Sequence, residues 1–364
     1  MEKYKAGVIG ATGMVGQRFV ALLENHPWFE LKAVAASARS KGKAYREAVS
    51  GRWSMNTPIP EAAKDLVVLN AVDDIAELTR NVDFVFSAVD MKKDEIKALE
   101  EKYAMMECPV VSNNSAHRWT PDVPMVIPEI NSKHIDVIDC QRKRLGIKRG
   151  FIAVKSNCSL QSYVPALHPL LRFGPNKVLV CTYQAISGAG KTFDMWPEMI
   201  DNIIPYIGGE EEKSEKEPLK LWGEVSGGVI KSASEPAITA QCIRVPVSDG
   251  HMAAVFVSFA NKPSQEEILG CWNDYKSEID ALALPSSPQK FLYYFPENDR
   301  PQARPDRNLE RGMAVSIGRL RLDTQYDYKF VCLSHNTIRG AAGGALLLAE
   351  LLCAKGYIKR NGLK

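Results

Sequence analysis

The pattern of apolar and polar positions divides the chain into two parts with different periods. Lys5 to Ala11 reads as a buried strand, Met14 to Asn25 carries apolar residues at helical spacing, and Leu31 to Ser37 is a second apolar run of strand length. Together they predict one β-α-β unit. Val82 to Val89 predicts a further strand, Lys92 to Tyr103 a helix, and Pro109 to Ser112 a short strand. Strands that alternate with helices wind into a parallel sheet. Beyond residue 156 the pattern changes, and Lys177 to Ser187, Ile238 to Pro246, His251 to Phe259 and Gly312 to Leu322 read as longer strands of an antiparallel or mixed sheet. Thr337 to Lys355 returns to a long apolar helix, expected to pack back on the first unit. Two polar stretches carry no core pattern: the glutamate-rich Gly209 to Lys220 and the proline-rich Pro296 to Pro305. Both are expected on the surface or beside a cleft.

At 364 residues the chain exceeds what one hydrophobic core usually accommodates, which predicts two domains. The expected division is 1–156 with 336–364 in one domain and 157–335 in the other. Hydrophobic residues at 45% and charged residues at 24% exclude disorder, collagen and coiled coil. The net charge of +3 is scattered apart from Arg142, Lys143, Arg144, Lys148 and Arg149, read as a solvated surface loop. Nucleic acid is therefore not an expected partner. The N-terminus enters a strand pattern at once, with no run long enough for a signal peptide or membrane span, so a cytoplasmic location is expected and no membrane partner. Eight cysteines are dispersed without a C-x-x-C pair, which argues against zinc and against a disulfide framework. No metal is expected, and free thiols are available for chemistry.

Gly10, Gly13 and Gly16 lie in GATGMVG, directly after the first predicted strand and at the opening of the first helix. Glycines there permit a tight turn and let a pyrophosphate approach the backbone N–H groups of a helix N-terminus. The spacing G-x-x-G-x-x-G is a variant of the Rossmann fingerprint, and its strand-turn-helix setting gives it weight. An NAD site places a carboxylate about 20 residues further on. Here that place reads Ala36, Ser37, Ala38, Arg39, Ser40. A guanidinium between two hydroxyls suits a 2′-phosphate, so the expected cofactor is NADP(H). The predicted class is accordingly α/β: an N-terminal Rossmann-type, doubly wound NADP-binding domain, followed by an α+β domain with a mixed sheet.

Residues 155–162 read KSNCSLQS and precede a helical pattern. Asn157 or Ser156 can cap that helix, which puts Cys158 in its first turn, where partial positive charge lowers a thiol pKa. Cys158 is either a nucleophile or a buried structural thiol. A thiolate that attacks a carbonyl needs a proton carrier, and among six histidines His251 follows Ser248-Asp249-Gly250, a predicted tight turn between two strands. A histidine in such a turn is either catalytic or simply exposed. Arg244, in the apolar strand QCIRVPV, must find an anion: a substrate carboxylate or a buried salt-bridge partner.

Seven motifs, in order, resemble the aspartate-semialdehyde dehydrogenase family, particularly its archaeal and fungal branch. They are GATGMVGQ at 10–17, ASARS at 36–40, NNSAHR at 113–118, SNCSLQ at 156–161, QAISGAGK at 184–191, RVPVSDGH at 244–251 and NTIRGAAG at 336–343. The resemblance runs nearly end to end. It implies reduction of 4-aspartyl phosphate by NADPH to L-aspartate 4-semialdehyde, and the reverse phosphorylating oxidation, in biosynthesis of the aspartate family of amino acids. It implies Cys158 as nucleophile, His251 as acid/base catalyst and Gln184 as the amide that orients substrate. Arg244 would hold the substrate carboxylate, Arg118 the phosphate with help from Lys213 and Asn114, and Glu211 the substrate amine. Glu210, Glu211 and Glu212 are adjacent, and the spacing from Lys213 favours Glu211. Cofactor contacts are implied for Gly10, Thr12, Gly13, Met14, Val15, Ser37, Arg39, Ser40, Ser87, Ser187, Gly188 and Gly190, with Asn336 and Thr337 closing from the C-terminal segment. A homodimer or homotetramer is implied as well. Competing readings are an acetylglutamyl-phosphate or malonyl-CoA reductase and an NADP sensor without catalysis.

Overall fold

A computed structural model describes residues 2–361. Seven strands, β1 (Tyr4–Ile9), β2 (Phe29–Ala36), β3 (Val68–Asn70), β4 (Phe84–Ser87), β5 (Val110–Ser112), β6 (Met125–Val126) and β7 (Ile152–Lys155), form one sheet in the order β3-β2-β1-β4-β5-β7-β6. Every pairing is parallel. β4, β5 and β7 are buried at each position, as in a sheet covered on both faces. Strand order reverses between β1 and β4, which opens a crevice at their carboxyl ends. β3, β6 and β7, of two to four residues, are not expected from the sequence pattern.

β8 (Pro175–Gln184) begins the second part. A small ribbon of β9 (Glu224–Ser226) and β10 (Val229–Lys231) stands apart. β11 (Ala237–Arg244), β12 (His251–Phe259), β13 (Leu292–Phe295), β14 (Val315–Leu322) and β15 (Tyr328–Ser334) join β8 in a mixed sheet ordered β11-β8-β12-β15-β14-β13. Buried and half-buried residues alternate strictly along β12, the mark of one covered face. The helix Leu160–Leu167, buried at every position, lies on that face against β12, β14 and β15.

Four local expectations change. β8 lies between β11 and β12, so Ser248–Gly250 is not a hairpin turn joining neighbours. The glutamate-rich stretch is a helix, Glu210–Leu221, and Glu210, Ser214, Glu217 and Lys220 form part of its buried face. Its hidden face is polar, so no apolar periodicity could reveal it. The basic cluster is solvated at Lys143, Arg144 and Lys148 but is only partly a loop: Arg142, Lys143 and Arg144 belong to the helix Ile138–Leu145. Arg142 stacks over Phe151 and Tyr357, while the Arg149 side chain donates to the Asp83, Glu107 and Lys359 carbonyls. The C-terminal helix is shorter than expected, Gly343–Ala354 after a π-helical turn at Ile338–Ala342. Leu346, Leu347, Leu348 and Leu351 share one core with Val8, Phe19 and Phe84, and Glu350 accepts a 2.8 Å hydrogen bond from His26.

Candidate active site

At the β1/β4 reversal the glycine turn leaves a crevice of ≈ 480 Å³. Gly10 has φ +82°, and a Cβ there would lie 2.3 Å from the Ala88 carbonyl oxygen, so only glycine fits. A Cβ on Gly16 would sit 2.1 Å from the Gly10 oxygen, which holds the first helix tight against the turn. That helix, Met14–Leu22, has no side-chain cap, and its first N–H groups are left for an anion. Gly10, Thr12, Gly13, Ser37 and Arg39 line the crevice. Met14 and Val15 open the helix behind the turn. Ser40 and Ser87 do not line it: both are buried, Ser40 within 3.4 Å of the Arg52 guanidinium and Ser87 accepting from Asn114 Nδ2 at 3.0 Å. Asn114 is thereby turned toward Ser87 and Glu100. Arg52 also lines the crevice, as Arg39 does, and no motif announced it. Two guanidiniums, a glycine turn and a free helix N-terminus fit a phosphorylated dinucleotide.

The second set of residues meets where β7 and β8 end and β12 begins. Cys158 lies in a turn just before the helix Leu160–Leu167 rather than within its first turn, and Asn157 Oδ1 accepts from Ser159 N at 2.8 Å. The expected lowering of the thiol pKa is reversed. Burial pushes Cys158 up, the Glu210 carboxylate adds to this, and Lys155, Arg118 and Arg244 oppose it. Its Sγ is 3.5 Å from His251 Nε2. His251, the first residue of β12, is fully buried, not exposed in a turn. The Ala185 backbone N–H donates to His251 Nδ1 at 3.0 Å, which leaves the ring proton of the neutral form on Nε2, facing the sulfur. Burial and the nearby Arg244, His335 and Lys155 charges hold His251 well below its ordinary pKa.

Two glycines make this approach possible. A Cβ on Gly188 would come within 2.9 Å of both Arg244 Nη1 and His251 Nε2, and one on Gly340 within 2.8 Å of Cys158 Cβ. Ser187 is fixed by Asn336 Nδ2 at 2.9 Å, while Asn336 Oδ1 accepts from Gly250 N at 2.8 Å. Asn336 thus ties the C-terminal segment to the turn before His251. Thr337 reaches Asp249 at 3.5 Å, and Gly190 ends the short turn that carries Ser187 and Gly188.

Charges are distributed unevenly around the thiol. The Glu210 carboxylate accepts from Asn157 Nδ2, from Gln184 Nε2 at 3.3 Å and from Lys213 Nζ at 2.7 Å. Glu211, the residue favoured by spacing, instead accepts from Gln241 Nε2 and Cys242 N on β11. One position along a helix rotates a side chain by about 100°, so the register decides which glutamate faces inward. Arg118 is buried and ion-paired to Glu217 at 2.9 Å, while Glu217 also accepts from Asn157 N. Arg244 donates to the Ala185 carbonyl at 2.7 Å and, among the described residues, has no carboxylate partner. A buried guanidinium without a counter-ion is a seat for an anion.

Comparison with known proteins agrees with this architecture. A family model described as semialdehyde dehydrogenase, NAD binding domain, matches residues 5–138, and one described as semialdehyde dehydrogenase, dimerisation domain, matches 167–339. Aspartate-semialdehyde dehydrogenase of Aspergillus fumigatus is 42% identical over 98% of this chain and 99% of its own length. That of Archaeoglobus fulgidus is 42% identical over 96% of this chain and 98% of its own. The chain belongs to the aspartate-semialdehyde dehydrogenase family. The crystal structure of the Candida albicans aspartate semialdehyde dehydrogenase with NADP superposes with a TM-score of 0.87 at 41% identity, covering 98% of this chain and 100% of that one.

Lys155, Glu217 and Arg52, which no local pattern marked, also lie at the crevice or around Cys158, together with Glu210, one of three adjacent candidates, and Gly340 of the NTIRGAAG motif. The signal available was positional, three residues before the cysteine for Lys155 and three residues before Lys213 for Glu210. Among the described residues no group of His, Cys, Asp or Glu is placed to hold a metal ion, and no helix is long and apolar enough to cross a membrane.

Proposed function

We propose that this chain is an NADP-dependent aspartate-semialdehyde dehydrogenase that interconverts 4-aspartyl phosphate and L-aspartate 4-semialdehyde through a thioester on Cys158. The observation that carries the reading is the 3.5 Å approach of Cys158 Sγ to His251 Nε2 beside the unpaired Arg244. The Cys158 thiolate attacks the acyl carbonyl and phosphate leaves, giving a thioester. Arg244 takes the substrate α-carboxylate and Glu210 the ammonium, while Arg118 and Lys213 face the phosphate. Glu210 replaces Glu211 in this scheme because its carboxylate is the one that meets Gln184 and Asn157. Bound NADPH supplies the hydride that reduces the thioester carbonyl. His251 Nε2–H hydrogen-bonds the oxygen as negative charge develops on it, and collapse returns aldehyde and thiolate. The crevice residues Gly10, Thr12, Gly13, Arg39 and Arg52 would hold the dinucleotide, with Ser187, Gly188, Asn336 and Thr337 closing over its reactive end.

The chain is further proposed to act as a homodimer or homotetramer in the cytoplasm. The half-buried alternate positions of β8 and β12, and the exposed Met195, Ile200, Ile203 and Tyr206, offer apolar surface for a second copy. Mass spectrometry of the protein mixed with aspartate semialdehyde and NADP⁺ without phosphate tests the chemistry. An acyl adduct is expected on Cys158 and is absent in Cys158→Ser; an adduct elsewhere, or reduction of malonyl-CoA with no turnover of the semialdehyde, would overturn the reading.

A further inference from the structure

The buried face of the helix Glu210–Leu221 carries three charges, and the scheme above uses the first two. Glu210 accepts from Asn157 Nδ2, and Glu217 accepts from Asn157 N and from Arg118 Nη1. Lys220 is the third. It is 3% exposed, and among the described residues no carboxylate forms an ion pair with it. Its Nζ donates instead to three backbone carbonyls: Arg118 at 2.6 Å, Thr120 at 3.2 Å and Val123 at 3.1 Å. An ammonium has three N–H donors, so each one finds an acceptor. All three acceptors belong to one loop, 118–123, which also turns on itself through Thr120 N to the His117 carbonyl and Val123 N to the Thr120 carbonyl. Its Pro121 carbonyl accepts from Ile230 N of β10 at 2.9 Å. Burial lowers Lys220 to about 8 and the Glu217 and Asp122 charges oppose this, so the side chain is an ammonium at neutral pH.

We infer that Lys220 is a positioning residue for the phosphate: by gathering the carbonyls of Arg118, Thr120 and Val123 on one ammonium, it fixes the loop that carries Arg118. Arg118 is thereby held at both ends. Its backbone is tied to Lys220, while its Nε donates to the Lys155 carbonyl at 3.1 Å and its Nη1 to Glu217 at 2.9 Å. Among the described residues Nη2 makes no hydrogen bond, which leaves that edge of the guanidinium for an anion. Both anchors of Arg118 come from one helix, since Glu217 and Lys220 are three residues apart and share its inner face. A neutral side chain at position 220 removes the charge on which the carbonyls converge. Their dipoles then repel one another, buried acceptors lose their donor, and the loop relaxes. A shift of about 1 Å in the guanidinium is enough to weaken its hold on a phosphate. Lys220 touches no reacting atom and acts only through Arg118.

The inference rests on Arg118 receiving the phosphate, and the test separates the two. Oxidation of aspartate semialdehyde by NADP⁺ is followed with inorganic phosphate varied, in the full-length natural chain and in Lys220→Met, Lys220→Gln and Arg118→Ala. In Lys220→Met the KM for phosphate is expected to rise about 10-fold, while those for the semialdehyde and NADP⁺ change by less than about 2-fold. Lys220→Gln, which keeps donors without charge, is expected to fall between Lys220→Met and the natural chain. A purely structural role would lower thermal stability and leave the KM for phosphate in step with the others, and that result overturns the inference. If Arg118→Ala raises the KM for phosphate and folded Lys220→Met does not, the inference fails alone. If Arg118→Ala leaves it unchanged, the assignment of the phosphate to Arg118 fails and takes the inference with it. Should neither Lys220 variant accumulate as folded protein, amide hydrogen exchange of residues 118–123 in the natural chain decides. Protection that changes by less than about 2-fold when phosphate is added supports a loop already held by Lys220, and a larger gain shows that the anion orders the loop and overturns the inference.

Discussion

The crevice beside β1 and the pocket around Cys158 handle charge in opposite ways. In the crevice Arg39 is exposed, the helix N-terminus is open, and the shape comes from backbone alone, with glycines where a Cβ cannot fit. In the pocket Arg118, Glu217, Glu210, Lys155 and Arg244 are buried and hydrogen-bonded. Solvated charges cost little to keep and contribute little to stability, whereas buried ones must be matched and punish any change that unmatches them. Binding a large anionic cofactor needs the first arrangement. Stabilising a developing oxyanion needs the second, where a low dielectric strengthens each contact.

The contrast predicts that pocket substitutions have larger effects than crevice substitutions. Gly340→Ala places a methyl 2.8 Å from Cys158 Cβ and must displace the nucleophile, so kcat is expected to fall on the order of 10²-fold with NADP affinity unchanged in fluorescence titration. A parallel loss of cofactor binding would show that the two regions are not separate. Glu217→Gln strips the partner from buried Arg118, and a stability loss of about 3 kcal/mol is expected from urea unfolding. A loss near zero would mean that Arg118 finds solvent and that the pocket is wetter than described. Arg39→Ala removes a solvated contact, and the preference for NADPH over NADH in kcat/KM is expected to drop about 10-fold with stability unchanged.

The smallest effect per group concerns pH. Burial lowers the pKa of His117, His134, His168, His251 and His335, with His168 and His335 down at about 4. A histidine lowered in this way binds fewer protons folded than unfolded. Its full stability is therefore present above the unfolded value of about 6.5 and is lost as pH falls toward the folded one. The urea midpoint should decline between pH 7 and pH 4.5. A midpoint that rose over this range would contradict the buried, neutral state of these rings.

Much of the crevice was legible because its parts are contiguous. GATGMVG and ASARS are each one turn with its flanking strand, and the positive φ of Gly10 is a local constraint, although the Ala88 carbonyl that crowds it follows β4. Ser40 and Ser87 are buried away from the crevice lining, because proximity in sequence does not say which way a side chain points. The pocket was legible only where a residue type was conspicuous, at Cys158, His251 and Arg244. The helix that carries Glu210 and Glu217 was hidden, since its buried face is charged and apolar periodicity sees only faces that hide hydrocarbon.

By itself the sequence determined the two-part architecture and the dinucleotide turn with its bias toward a 2′-phosphate, because each follows from residues that act within one element, and it marked Cys158 and His251 as candidates. Only the tertiary structure decided that β8 separates β11 from β12, that Glu210 rather than Glu211 turns inward, that His251 carries its proton on Nε2, and that Lys155 lies buried without a carboxylate. Those facts depend on distant segments meeting. Desolvation and pairing of charge are properties of the assembled interior, and no stretch of chain holds them before it folds.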